Sequence, residues 1–184
     1  MEFNFAKELS HLIGDLKHTD MQKVNELRFD EINTDRMGNI IEMGNTLVLT
    51  ELDKQNDLNA ENFAYIKNAL VYTLALSLIV APKMKANYHK LQEAWNAKLD
   101  SIEYLLRMKN ADYGPSYMNV ANKLGVCATF SVRILDKCNR LEQLQQTHGI
   151  HVHDETSLDT INDLIGYYIL FLLALFETKS RVKK

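Results

Sequence analysis

Proline occurs twice and glycine seven times in 184 residues, too little turn chemistry for a fold built of hairpins. No segment alternates apolar and polar residues for long enough to demand a sheet, so an all-β architecture is excluded. Cysteine is nearly absent: Cys127 and Cys138 fall within one expected helix, about 16 Å apart along its axis, and cannot bridge within a chain. Long apolar runs are missing too. Ala69–Ala81 and Leu164–Phe176 are each 13 residues, against the roughly 20 that span a bilayer, and both read as buried helices. The opening MEFNFAKELS places two glutamates where a secretory leader carries cations and an apolar run, so a cytoplasmic protein with no membrane partner is expected. Positive charge is not in excess either. With Lys+Arg 21 against Asp+Glu 24 the net charge is −3, which makes no strong case for nucleic-acid binding but permits a local basic stripe.

What is present is a hydrophobic content of 46% with 24% charged residues, the balance of a globular chain rather than a disordered one. Helical spacing recurs along it. Phe3, Phe5, Leu9, Leu12, Ile13 and Leu16 share a face of a first helix. His18–Gln55 is helical in spacing but interrupted by Gly38 and Gly44. A helix capped by Asn59 or Glu61 runs to Val80, before Pro82. Tyr88, Leu91, Trp95, Leu99, Ile102 and Leu106 mark an amphipathic helix ending near Asn110. A loop over Asp112–Ser116 and a break at Gly125 lead into a helix from about Val126 to Gln146, and a last helix runs from about Thr156 to Thr178. The expected fold is an all-α multi-helix bundle in one domain, residues 1–184. Its two most apolar helices offer more hydrophobic face than one bundle can cover, so a homodimer or higher oligomer is expected.

Chemistry concentrates between Lys109 and Tyr167. Arg133, Asp136, Lys137 and Arg140 fall within about 100° of one helix face. Three cations and a carboxylate in that arrangement suit a polyphosphate with its metal, and equally suit a solvated face of ion pairs. Asp159 and Asp163 lie one turn apart at the start of the apolar last helix. Two such carboxylates need cations or a metal. Mg²⁺ shared with substrate phosphates would satisfy them, with Glu155 able to join. The alternative is that Asp159 caps the helix while Asp163 pairs with Arg133 or Arg140 across the bundle. In either case the two helices are expected to meet. His148, His151 and His153, followed by Asp154 and Glu155, form a transition-metal site only if their loop folds back. Cys127 and Cys138 lie near the apolar face of their helix and read as core thiols.

Lys109-Asn110-Ala111-Asp112-Tyr113-Gly114, then Arg133-Ile134-x-Asp136-Lys137-x-x-Arg140-Leu141, then Asp154-Glu155 and Asp159-Thr160-x-x-Asp163-Leu164-x-x-Tyr167 together resemble the nucleotide modification associated domain of the first type, a small helical family of bacteria and their phages. The resemblance covers roughly Ile102 to Phe176, within a region of residues 99–178. Thr156 stands where that family has serine, and residues 1–98 have no assigned role. The resemblance implies nucleotide metabolism or DNA base modification, in a host cytoplasm if the chain is of phage origin. The acidic helices are also similar to those of all-α nucleoside triphosphate pyrophosphohydrolases, although Glu103 lacks the acid three residues on that their pattern requires. The expected function is therefore Mg²⁺-dependent processing of the phosphate chain of a free nucleotide. Asp136, Asp159 and Asp163 are the candidate catalytic carboxylates and, with Glu155, the candidate metal ligands. Lys109, Asp112, Tyr113, Gly114, Arg133, Lys137, Arg140 and Tyr167 are the candidate nucleotide contacts. Tyr113 would stack on the base, and Gly114 would let backbone approach closely. The alternative is a protein that binds a nucleotide without altering it, such as a phage factor sequestering a host signalling nucleotide.

Overall fold

A computed structural model describes residues 3–30, 35–52, 60–78, 88–147 and 157–182. Eight α-helices and a short π-helical stretch account for nearly all of them, with no strand among the described residues. The helices are α1 (Phe5–Lys17), α2 (Met21–Asp30), α3 (Arg36–Thr46), α4 (Ala60–Ser77), α5 (Tyr88–Tyr113), α6 (Ser116–Leu124), α7 (Val126–Thr147) and α8 (Ser157–Val182). The π-helical stretch, Leu47–Leu52, continues α3. The all-α bundle expected from the sequence is what forms.

The N-terminal helix begins where the Asn4 side chain accepts the Lys7 amide at 3.0 Å, satisfying one of the donors every helix start leaves open. Leu9, Leu12, Ile13 and Leu16 form its buried stripe. The stripe packs on α5, where the fully buried Trp95 donates its indole N–H to the Leu16 carbonyl at 2.8 Å. Around that contact Lys17 pairs with Asp100, and Arg107 reaches Ser10 and the Ala6 carbonyl while paired with Glu103. This layer gives α5 a fixed position, and α5 in turn forms one wall of the site.

At the centre lies α8, packed most closely against α7 and α4 and touching α1, α5 and α6. Its apolar run is buried from Leu164 and Ile165 to Leu175 except where Tyr167 and Leu170 are partly exposed, and Phe171 stacks on Phe130 of α7 with ring centroids 5.0 Å apart. By length and composition Ser157–Lys179 could cross a bilayer, but 67% of its most apolar window is covered by the rest of the fold. That burial is what a core helix requires.

The structure adjusts several expected boundaries. The interrupted segment after His18 contains α2, α3 and the π-helical stretch, and Gly44 sits inside α3 because α7 and α8 approach it there. A β-carbon at Gly44 would lie far inside contact distance of Cys138 Sγ and 3.3 Å from the Tyr168 hydroxyl. The amphipathic helix α5 runs on through Asp112 to Tyr113, so the connection shrinks to Gly114-Pro115, and α6 fills the interval before Gly125. Gly114 and Gly125 both have positive φ, +60° and +87°, the conformation that ends a helix most cheaply with glycine. Asn59, Val80, Pro82 and the His148–Thr156 segment, including Asp154 and Glu155, lie outside the described residues. Both cysteines are free. Burial, reinforced by the nearby Glu142 carboxylate, pushes the Cys138 thiol up to about 12, so it is a core group and not a nucleophile.

Candidate functional site

A cleft of about 170 Å³ opens where α5, α6, α7 and α8 converge. It far exceeds the ~10–15 Å³ that a single water requires. Six of the residues expected to contact a nucleotide or metal line it: Lys109, Tyr113, Gly114, Arg133, Asp163 and Tyr167. Its apolar wall includes Ile102, Leu106, Phe130 and Leu170. Gly166 leaves room on the α8 side, since the nearest atom to a β-carbon there would be Leu106 Cδ2 at 3.7 Å.

Two helices supply the polar half in matching steps. Arg133 and Lys137 stand one turn apart on α7, and Asp163 and Tyr167 stand one turn apart on α8, so the packed helices bring two cations against a carboxylate and an aromatic ring. The Arg133 guanidinium lies 5.4 Å from the Tyr167 ring centroid and the Lys137 ammonium 6.0 Å from it, both within cation–π range. Lys137 Nζ is 3.2 Å from Asp163 Oδ2, and Lys109 Nζ reaches Asp163 Oδ1 from α5 at 3.4 Å. Asp163 is thus clamped between two lysines. Arg133, by contrast, has no carboxylate partner among the described residues.

The expected pairing of Asp163 with Arg133 or Arg140 is replaced by lysine pairing, because the crossing of α7 over α8 brings Lys137 rather than either arginine to the carboxylate. Asp112, Asp136 and Asp159 are exposed, and none lines the cleft. Lys137 and Arg140, one and two turns beyond Arg133 on α7, are also outside its lining. Among the described residues no three His, Cys, Asp or Glu side chains gather closely enough to hold a metal, and Asp163 is already neutralised by Lys109 and Lys137. The described donors therefore do not by themselves fit a divalent cation. Glu155 lies outside the described residues.

Uncharged polar groups at the cleft escape the charge-based reading. Asn110 and Asn162 both line it. Lys98, half-buried, donates to Asn162 Oδ1, and burial lowers its ammonium from the ordinary lysine range. Asn110 stands inside the Lys109–Gly114 motif, so its position was visible in the sequence although its burial was not.

The lysine clamp makes a direct prediction. Asp163→Asn leaves Lys137, whose side chain is 12% exposed, without its carboxylate. Because Asp163 is itself 29% exposed, the expected loss lies between the surface and buried limits, about 1–2 kcal/mol in urea denaturation. A variant as stable as the parent would mean that the lysines lose nothing when the carboxylate goes.

No family model, curated protein or solved structure matches the chain.

Proposed function

We propose that this cleft binds a free nucleotide, with Arg133, Lys109 and Lys137 meeting the phosphates and Tyr113 or Tyr167 flanking the base. The observation that carries the reading is Arg133: a guanidinium lining a cleft, held over an aromatic ring, with no carboxylate partner among the described residues. A planar five-donor cation in that setting is suited to bidentate phosphate contacts. Asp163 holds Lys109 in the wall and Lys137 beside it until an anion arrives, and phosphate oxygens then compete with it for their protons. The apolar side of the cleft offers a surface that a base can cover and that a bare inorganic anion cannot use. The resemblance of the Lys109–Tyr167 motifs to a nucleotide-associated family points the same way.

Calorimetry on the full chain with a panel of nucleoside mono-, di- and triphosphates, each with and without Mg²⁺, tests the reading when products are followed by chromatography. The expected result is saturable binding that weakens as salt rises and does not require Mg²⁺. Turnover appearing only with Mg²⁺ would add phosphate-chain hydrolysis to binding, with Asp163 and Asp159 the first carboxylates to test. Absence of binding across the panel in both conditions would refute the proposal.

A further inference from the structure

Asn162 is half-buried on α8 and lines the cleft. Its amide is not free to turn. Lys98 of α5, also half-buried, donates to Asn162 Oδ1, and because a lysine ammonium can only donate, the amide oxygen must face Lys98 and the nitrogen must face away from it. Asn162 Nδ2 has no hydrogen-bond partner among the described residues. It is not sealed in the interior either, since the buried side-chain polar atoms without a partner among those residues are Thr73 Oγ1, Asn110 Oδ1 and Tyr168 OH. Asn162 therefore brings to the cleft open N–H donors and an oxygen already in use.

Its neighbours place Asn162 on the apolar side. Asn162 and Gly166, one turn apart on α8, face α5, where Lys98 meets the first and Leu106 Cδ2 is the nearest atom to a β-carbon on the second. Asp163 and Tyr167 face α7, where Lys137 and Arg133 stand. We propose that Asn162 Nδ2 donates to a carbonyl oxygen or ring nitrogen of the ligand's base, with Lys98 as the positioning residue that fixes the amide. The cleft then selects a nucleotide through its base as well as its phosphates. The inference rests on the reading of the cleft as a nucleotide site. Phosphate oxygens can also accept from an amide, but the cations that attract them stand on α7 and at Lys109, about three turns along α5 from Lys98. The wall between, with Ile102 and Leu106, suits a flat ring and not a charged oxygen. An asparagine free to use both atoms pairs with the adjacent acceptor and donor of adenine. With its oxygen held by Lys98, Asn162 reads acceptors alone.

The test compares nucleoside triphosphates with ribose 5-triphosphate, the same phosphate chain and sugar without a base, in calorimetric titrations of the parent, Asn162→Asp, Asn162→Leu and Lys98→Met. The parent should bind the nucleotides more tightly. Asn162→Asp leaves Lys98 a partner of the same size but has no N–H to give, and its added charge weakens both kinds of ligand alike, so the ratio of affinities should fall about three- to tenfold. Asn162→Leu should lower the ratio as far. Lys98→Met frees the amide to rotate and should lower the ratio in part. In the Asn162→Leu background it should lower it no further, a dependence that a purely structural lysine would not show. If the parent binds nucleotides and Asn162→Asp keeps the full ratio, the inference fails while the nucleotide site stands. Equal parental affinity for the two kinds of ligand also overturns it. Equal effects of Lys98→Met on the ratio in both backgrounds would remove Lys98 as the positioning residue. Failure of the parent to bind any of these ligands would refute the nucleotide reading and this inference with it.

Discussion

Gly44→Ala is expected to lower the melting temperature by several degrees, although alanine is the better helix former. Gly44 is buried in α3, and an added β-carbon would meet Cys138 Sγ well inside contact, with the Tyr168 hydroxyl at 3.3 Å and Ile134 Cγ2 at 3.5 Å. All three neighbours are fully buried. None can swing into solvent, so the helices must separate or a side chain must leave its rotamer. Overpacking of this kind costs about 1–3 kcal/mol, toward the upper end where three fully buried neighbours are met, and alanine returns ~1 kcal/mol of it through helix propensity; each net 1 kcal/mol corresponds to roughly 2–4 °C for a chain of this size. Cys138→Ala removes the clashing sulfur. In that background Gly44→Ala should be neutral or stabilising, so the double variant should exceed the stability expected from the two single losses. Strict additivity would mean that the helices do not meet at Gly44 as described.

Arg133→Ala should weaken nucleotide binding by about ten- to a hundredfold, since a charge-assisted hydrogen bond is worth about 1.5–3 kcal/mol and a bidentate contact sits toward the upper end. Loss of the guanidinium also takes a cation from the Tyr167 face, worth about 0.5–2 kcal/mol on its own. Stability should fall by no more than that cation–π contact supplies, because Arg133 has no carboxylate to strand among the described residues. Arg133→Lys separates charge from shape: it keeps the cation but not the planar fork and should recover only part of the affinity. Unchanged binding in Arg133→Ala, measured by calorimetry beside the parent, would mean that the cations stabilise the bundle and serve no ligand.

Much of this architecture is legible in the sequence for physical reasons. The three-and-four spacing from Tyr88 to Leu106 can only bury Leu91, Trp95, Leu99, Ile102 and Leu106 together as a helix, and all five are buried. The unbroken apolar character of Leu164–Leu175 demands a central position, which α8 occupies. Gly44 shows where such reading stops. A glycine in a helical pattern looks like an interruption until the neighbouring helices are in place to fill the space a side chain would occupy. The α6 segment is hard to read as a helix because Gly114-Pro115 and Gly125 bracket only nine residues, although Tyr117, Met118 and Ala121 mark a short buried face. At the site, the helical period placed Arg133 with Lys137 and Asp163 with Tyr167. Which cation meets Asp163 depends on the crossing and offset of α7 and α8, and neither helix encodes that alone. The period likewise could not separate Asp163, which lines the cleft, from Asp159, one turn away and exposed.

If one cleft holds both ends of a nucleotide, a crystal structure of the full chain with a bound nucleoside triphosphate should show it. Phosphate oxygens should lie on the Arg133 guanidinium and on Lys109 or Lys137, with those lysines drawn away from Asp163, and the base should lie against the apolar wall. A nucleotide bound elsewhere on the bundle, with Arg133 solvated and Asp163 still clamped by both lysines, would contradict it.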